Sequence, residues 1–122
     1  MPIHGSCYKI VSTSVNWNAA ESACKAMGSH LAMVKTHAEQ QALWPKMGTT
    51  VWIGLHRDPK DNSRWLWIDG SRVTYTNWYS GEPNGALEKC GEMYPSSYKG
   101  KWNDAPCNIN RYYLCETKGK ER

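Results

Sequence analysis

Two periodicities alternate along the chain. Cys7, Tyr8, Ile10 and Val11 are mostly β-formers, which predicts a first strand from Ser6 to Val11. The spacing then turns helical. Trp17, Ala20, Cys24 and Met27 fall on one face, Asn16 is placed to cap the start, and Gly28 to end the helix as a C′ residue. Cys24 therefore sits on the buried face. His30 to Lys35 reads as a short connecting strand with Leu31 and Met33 inward. Thr36-His37-Ala38-Glu39 is a capping box, predicting a second helix to about Leu43 or Trp44, stopped by Pro45. Thr50 to Leu55 predicts a central strand, in which Gly54 marks a close backbone approach. Arg57 to Arg64 is polar and turn-rich and reads as loop. Trp65, Trp67 and Ile68 are apolar anchors, Asp69-Gly70 is a turn, and Val73 to Tyr75 is short and extended. Cys90 to Tyr94 and Lys101 to Asn103 predict neighbouring antiparallel strands, and Arg111 to Glu116 a closing strand.

Composition changes this picture in three ways. At 122 residues the expectation is one domain, residues 1–122, with its core at about 7–116 and a solvated tail at 117–122. There is no Phe, so seven Trp and seven Tyr carry the aromatic packing. Five Cys in so short a chain indicate an oxidising, secreted or extracellular setting. No signal peptide and no apolar run of membrane-spanning length is present, so the chain reads as a mature or excised domain with an added start Met. The net charge of +4 lies partly in the tail and forms no basic stripe of the kind nucleic acid requires, so neither nucleic acid nor membrane insertion is expected.

The candidate chemistry lies between Tyr75 and Cys107. Glu82-Pro83-Asn84, Glu88 shortly before Cys90, and Trp102-Asn103-Asp104 shortly before Cys107 bring three carboxylates and two carboxamides into a span rich in Gly, Pro and Asn. All-oxygen sets suit Ca²⁺, which takes roughly 6–8 oxygen ligands. Zinc would ask for Cys or His, and no His follows His56. His4, His30, His37 and His56 are scattered and read as surface or hydrogen-bonded residues. A sugar hydroxyl between an Asn and a Glu could accept from the amide, donate to the carboxylate and lend its oxygen to the ion. Taken alone, E-P-N fits any proline turn, and Asn-Asp before Ala-Pro fits an Asx turn. No Ser–His–Asp or Cys–His pattern is present, so no catalytic residue is assigned and an enzyme is not expected.

The order E-P-N, acid before Cys, W-N-D, Cys resembles the C-type lectin-like domain, in its calcium-dependent, mannose-type branch. Trp52-Ile53-Gly54-Leu55, Trp65-Leu66-Trp67-Ile68-Asp69-Gly70, Tyr75-Thr76-Asn77-Trp78 and Tyr113-Leu114-Cys115-Glu116 extend the resemblance from Cys7 to Glu116. It implies an α+β fold: two helices flanking small antiparallel sheets, with a long calcium-binding loop region outside the sheet core that begins at Arg57. It implies disulfides Cys24–Cys115 and Cys90–Cys107, leaving Cys7 free, linked to another chain, or parted from an upstream partner. It implies that Glu82, Asn84, Glu88, Asn103 and Asp104 hold one Ca²⁺ and engage the sugar, across a cis bond before Pro83. Glu92 is a rival to Glu88, but the family places the acid two residues before the Cys. Gly85 and Lys89 stand where calcium-richer relatives often have acids, so no full auxiliary calcium is expected. The implied function is recognition of mannose, fucose or N-acetylglucosamine glycans, including microbial surface polysaccharide, in secreted innate recognition. Weak monovalent affinity would be raised by clustering, as in a homo-oligomer. Galactose specificity or a calcium-independent protein- or ice-binding role is the alternative. Trp78, Tyr79, Tyr94, Tyr98 and Trp102 are in range to stack on a sugar, although for each singly core or loop packing is the expected role, and Trp78 is expected to pack beneath the site. Acid is expected to release the calcium.

Overall fold

The computed structural model describes residues 2–3, 5–82, 85 and 87–118. Its first elements are β1 (Pro2–Ile3), β2 (Ser6–Val15), α1 (Trp17–Ala26), β3 (His30–Leu31) and α2 (His37–Leu43). They are followed by β4 (Val51–Asp58), β5 (Asp61–Trp67), β6 (Cys90–Met93), β7 (Trp102–Ala105) and β8 (Arg111–Lys118). One eight-stranded sheet results, in the order β1-β2-β8-β4-β6-β7, with β3 also on β8 and β5 also on β4. The sheet is mixed, because β4 runs parallel to β8 while the other pairs are antiparallel. The α+β fold with two helices flanking antiparallel sheet is present as expected, and its strands connect into one sheet with a single parallel pair.

Local signals set the helix ends. The Asn16 side chain accepts from the Ala19 amide, and Gly28 adopts φ +74° just past the last turn. Ala20 and Cys24 are buried as their spacing requires, but Met27 lies at the cap and is exposed. The Thr36–Glu39 capping box forms in both directions. After α2 the chain makes one 3-10 turn, Trp44–Lys46, with Pro45 at its start where a missing N–H does no harm.

The reading of Arg57 to Arg64 as loop is corrected. Those residues form the end of β4, a tight turn, and the start of β5, paired Arg57↔Trp65 and Asp58↔Asp61. Polar composition misled because one side of this hairpin faces solvent. The connecting strand after α1 is also shorter than expected, at His30–Leu31, while β2 and β4 run further, to Val15 and Asp58.

Trp67 and Trp102 are buried in one cluster with Ile53, Leu55, Met93 and Leu114, and Trp52 in a second with Leu31. Disulfides join Cys24 to Cys115 and Cys90 to Cys107. In the chain-entropy model loops of these lengths contribute about 4–5 and about 3 kcal/mol. Cys7 is a free, exposed thiol.

Gly54 is the close approach expected from the sequence. Its amide donates to Ala32 O at 2.7 Å. A Cβ there would stand 2.9 Å from Leu31 O and 3.1 Å from Ala32 O, both backbone atoms that have little room to move. Gly54→Ala is expected to lower unfolding stability by about 2 kcal/mol, as overpacking typically does. Urea denaturation measures it, and an unchanged midpoint would show that β3 and β4 can separate freely.

Candidate functional site

The registers bring four segments together at one end of the sheet. His56 pairs with Cys90, and Cys90 with Ala105. The Arg57 amide donates to Lys89 O at 2.9 Å. Arg57, Glu88 and Asp104 are thereby neighbours. Strand alternation then separates Asn103 from Asp104. Asn103 faces Glu92 across the β6–β7 pair, and Asp104 stands opposite Gly91.

Asp104 is fully buried. Its Oδ2 accepts from the Gly85 amide at 3.0 Å and meets Arg57 Nη2 at 3.4 Å. The Arg57 side chain is itself only 9 % exposed. Its Nε donates to Glu88 O at 3.1 Å, Nη1 to Asn62 O at 2.7 Å and Nη2 to Gly85 O at 2.9 Å. The guanidinium also lies over the Trp65 ring, 4.7 Å from its centroid. One cation thus ties the β4–β5 hairpin, β7, Gly85 and Glu88 together. Sequence reasoning missed this role. The available signal was period two: Arg57 is two residues beyond buried Leu55 and shares its face, so its charge needed a partner.

The Glu88 carboxylate lies against Gly85, where a Cβ would collide with it. Burial raises the Glu88 pKa, the charges of Asp104 and Glu92 raise it further, and Arg57 opposes them. A cation brought to this point would reverse that shift. Glu88 and Asp104 therefore meet at one glycine, offer only hard oxygens, and suit a hard cation in their donor chemistry.

The other expected ligands are placed less compactly. Asn103 Nδ2 donates to Glu92 Oε2 at 2.8 Å, and Glu92 Oε1 accepts from Arg111 Nε at 2.9 Å. Glu92, the rival to Glu88, is buried in that pairing. Glu82 is half-buried, with its amide donating to Tyr79 O at 2.9 Å. Its charge, after burial and Glu92, helps to raise the Tyr94 pKa, so it lies on the Tyr94 side. Asn84, and the bond before Pro83 expected to be cis, fall outside the described residues. Among the described residues no group of three His, Cys, Asp or Glu side chains is placed to hold a metal ion.

The aromatic candidates divide. Trp102 takes the core-packing role expected of each aromatic singly: it is fully buried, its indole donates to Gln40 Oε1 at 3.1 Å, and no sugar can stack on it. Trp78 is half-buried against Trp65 and Trp102 and lies in the core margin, as expected. Tyr79, Tyr94 and Tyr98 form a cluster with centroids 5.4–5.9 Å apart, Tyr79 meeting both others edge-to-face and Tyr94 tilted against Tyr98. Tyr79 and Tyr98 are exposed, and the Tyr79 amide is anchored to Trp102 O at 2.8 Å, one residue from Asn103.

Residues 13–117 match the family described as the Lectin C-type domain. A mannose-binding isoform of C-type lectin from Notechis scutatus scutatus is 35 % identical over 128 residues, spanning 97 % of this chain and 80 % of that protein. The C-type lectin domain of murine dendritic cell inhibitory receptor 2, solved in complex with N-glycan, superposes with TM-score 0.88. It is 32 % identical over 97 % of this chain and 94 % of that one. A calcium-independent type II antifreeze protein superposes with TM-score 0.89 at 27 % identity, over 98 % and 92 % of the two chains.

The Arg57 clamp makes a stability prediction. Arg57→Met keeps much of the apolar stem but strips Asp104 of its cation. Removing one member of a buried pair costs about 3–5 kcal/mol. Chemical denaturation is expected to show a loss of that size, with faster hydrogen exchange at the Gly85 amide. Unchanged exchange there would mean that the guanidinium does not hold this segment.

Proposed function

The chain belongs to the C-type lectin domain family, and from that premise we propose that it is a calcium-dependent carbohydrate-binding module of the mannose type. Glu82, Asn84, Glu88, Asn103 and Asp104 would hold the Ca²⁺. The ion, when bound, supplies open coordination positions that attract two adjacent hydroxyl oxygens of a sugar. The carboxylates of Glu82 and Glu88 accept the hydroxyl protons, and the amides of Asn84 and Asn103 donate to the hydroxyl oxygens. Glu92 and Arg111 orient the Asn103 amide. Exposed Tyr79 and Tyr98 offer ring faces and edges beside Glu82 for the apolar face of the sugar. Equatorial vicinal hydroxyls, as in mannose, fucose or N-acetylglucosamine, are the ligand this arrangement suits. The role is binding and not catalysis, in a secreted or extracellular, disulfide-closed single domain.

The observation that carries this reading is the meeting of Glu88 and Asp104 at Gly85, where burial first, and then the charges of Asp104 and Glu92, raise the Glu88 pKa. Two acids crowded at the edge of a domain of this family are better explained by a cation than by stability, since their repulsion opposes folding.

One observation favours a second reading, a calcium-independent protein- or ice-binding role. Arg57 already supplies Asp104 with a positive charge, and a solved relative with this fold is described as calcium-independent.

Retention on a neutral mannose matrix separates the two. Binding is expected with calcium and is expected to fall at least tenfold, about 1.4 kcal/mol, when a chelator is added. Retention that survives excess chelator would favour the second reading. The double variant Glu82→Gln, Asn84→Asp is expected to move preference towards galactose on a glycan array. A profile that does not move would place the choice of sugar outside these two residues.

A further inference from the structure

The outer face of the β6–β7 pair carries more than Asn103. Met93 stands opposite Trp102, and both are buried. Strand alternation therefore sends Tyr94 and Asn103 to the other face. The Tyr94 amide donates to Lys101 O at 2.8 Å, so the pairing runs one residue beyond β6. Beside β7, Trp78 forms a parallel bridge with Trp102, and the Tyr79 amide donates to Trp102 O at 2.8 Å. That register sets Tyr79 next to Asn103. The Tyr79 ring lies 5.5 Å from that of Tyr94 and 5.9 Å from that of Tyr98. One aromatic surface thus begins beside Asn103 and continues onto the turn that joins β6 to β7.

This surface is both exposed and held in place. Tyr79 is 40 % exposed and Tyr98 52 %. The turn bearing Tyr98 is fastened through its backbone. The Ser96 amide donates to Met47 O at 2.7 Å, the Tyr98 amide to Pro95 O at 2.9 Å and the Lys101 amide to Tyr98 O at 3.2 Å. Buried Gln40, on α2, donates from Nε2 to Gly100 O at 3.0 Å. Lys99 closes the turn at φ +57°, a left-handed conformation that a residue with a side chain keeps only where its surroundings impose it. Rings fixed in this way lose little freedom when a ligand arrives. Burial, and then the charges of Glu92 and Glu82, raise the Tyr94 pKa, so its hydroxyl stays a donor at neutral pH.

We propose that Tyr79, Tyr94 and Tyr98 form a second sugar subsite, so that the ligand class is an oligosaccharide and not a single sugar. That the occupant is a sugar rests on the function proposed above. A pyranose held through two hydroxyls near Asn103 lies within reach of Tyr79. Tyr98 lies a further ring-width along, on the turn beyond Lys101, and a second residue linked to the first is what reaches it. Phenol rings suit this occupant, because their faces pack against the C–H groups of a sugar and their hydroxyls meet its polar rim. Area disfavours a protein partner. Aromatic side chains bury about 150–250 Å² each, and three of them fall well short of the roughly 1,200 Å² at which stable protein interfaces begin.

The test compares methyl mannoside with methyl-capped mannose disaccharides of different linkage. Each is titrated against the whole chain with calcium present, and binding is followed by the amide resonances of the protein. At least one disaccharide is expected to bind about fivefold more tightly than methyl mannoside, the size of one aromatic contact. Tyr98→Ala is expected to bring that ratio close to one, and Tyr98→Phe, which keeps the ring, to retain most of it. Met27→Ala removes an exposed apolar side chain at the end of α1 and is expected to leave the ratio as it is. Wild-type disaccharides that bind no better than methyl mannoside overturn the proposal and leave the calcium reading standing. So does a Tyr98→Ala variant that keeps the ratio, whether its affinities hold or fall together. If methyl mannoside fails to bind with calcium, the function proposed above falls. A disaccharide that then still binds, and loses affinity in Tyr98→Ala, supports the subsite, and one that does not bind overturns it too.

Discussion

The closing strand β8 is the constraint on which the other elements depend. It pairs with β2 and β3, runs parallel to β4, and is covalently joined to α1 through Cys115 and Cys24. A central strand with neighbours on both sides cannot slip by one residue without turning its buried face outward. The same strand carries Glu116, a buried carboxylate, and fixes it with two partners. Oε1 accepts from the Met33 amide at 2.9 Å and Oε2 from the Tyr8 hydroxyl at 3.3 Å. Burial, and then the charge of Glu116, push the Tyr8 pKa well above its ordinary value, so Tyr8 stays a donor throughout the physiological range. The segment after β3, the first long strand and the last one are thereby locked by one carboxylate.

What β8 fixes at one end is passed through β4 to the other. β4 carries Trp52, Ile53 and Leu55 into the core and then delivers Arg57 among three backbone carbonyls and a buried acid. The candidate site is thus built on strand ends, with Glu82, Gly85 and Glu88 the described site residues that lie outside the strands. Its precision comes from the β6–β7 hairpin, whose register sends Asn103 to Glu92 and Asp104 to Arg57, and from Cys107, which ties the far end of that hairpin to Cys90. Removing a carboxylate from water is expensive, and here hydrogen bonds and a guanidinium offset that expense.

Local signals were the most legible part of the sequence. Asn16, Thr36, Glu39, Gly28 and Gly54 each act through their own backbone neighbourhood, and each does what its residue type predicts. The β4–β5 hairpin was illegible because the pattern from Arg57 to Arg64 is polar, while strand pairing there is driven by what precedes and follows it, Leu55 and Trp67. At the site, the acids were visible as a group, but their division was not. Asn103 and Asp104 are adjacent in sequence and point to opposite faces, a separation that composition cannot express and strand alternation enforces. Arg57 was missed for a related reason. Its partners, Asn62, Gly85, Glu88 and Asp104, are drawn from four places along the chain and meet only after the sheet has formed.

That internal cation separates two quantities that small metal-binding domains often combine. Where a metal alone neutralises buried acids, binding free energy is folding free energy, and the chain is unfolded without the ion. Here Arg57 neutralises Asp104 from within, and two disulfides restrict the unfolded chain, so the folded state does not wait for a metal. On the proposed calcium reading, a divalent ion near Glu88 would act on residues that are already tethered, and its binding energy would be expressed as ligand affinity instead of folding. The guanidinium would have an opposite effect as well, because a positive charge beside Asp104 repels an incoming dication. On that reading, fold stability and cation affinity are set against each other at Asp104 by one side chain on β4.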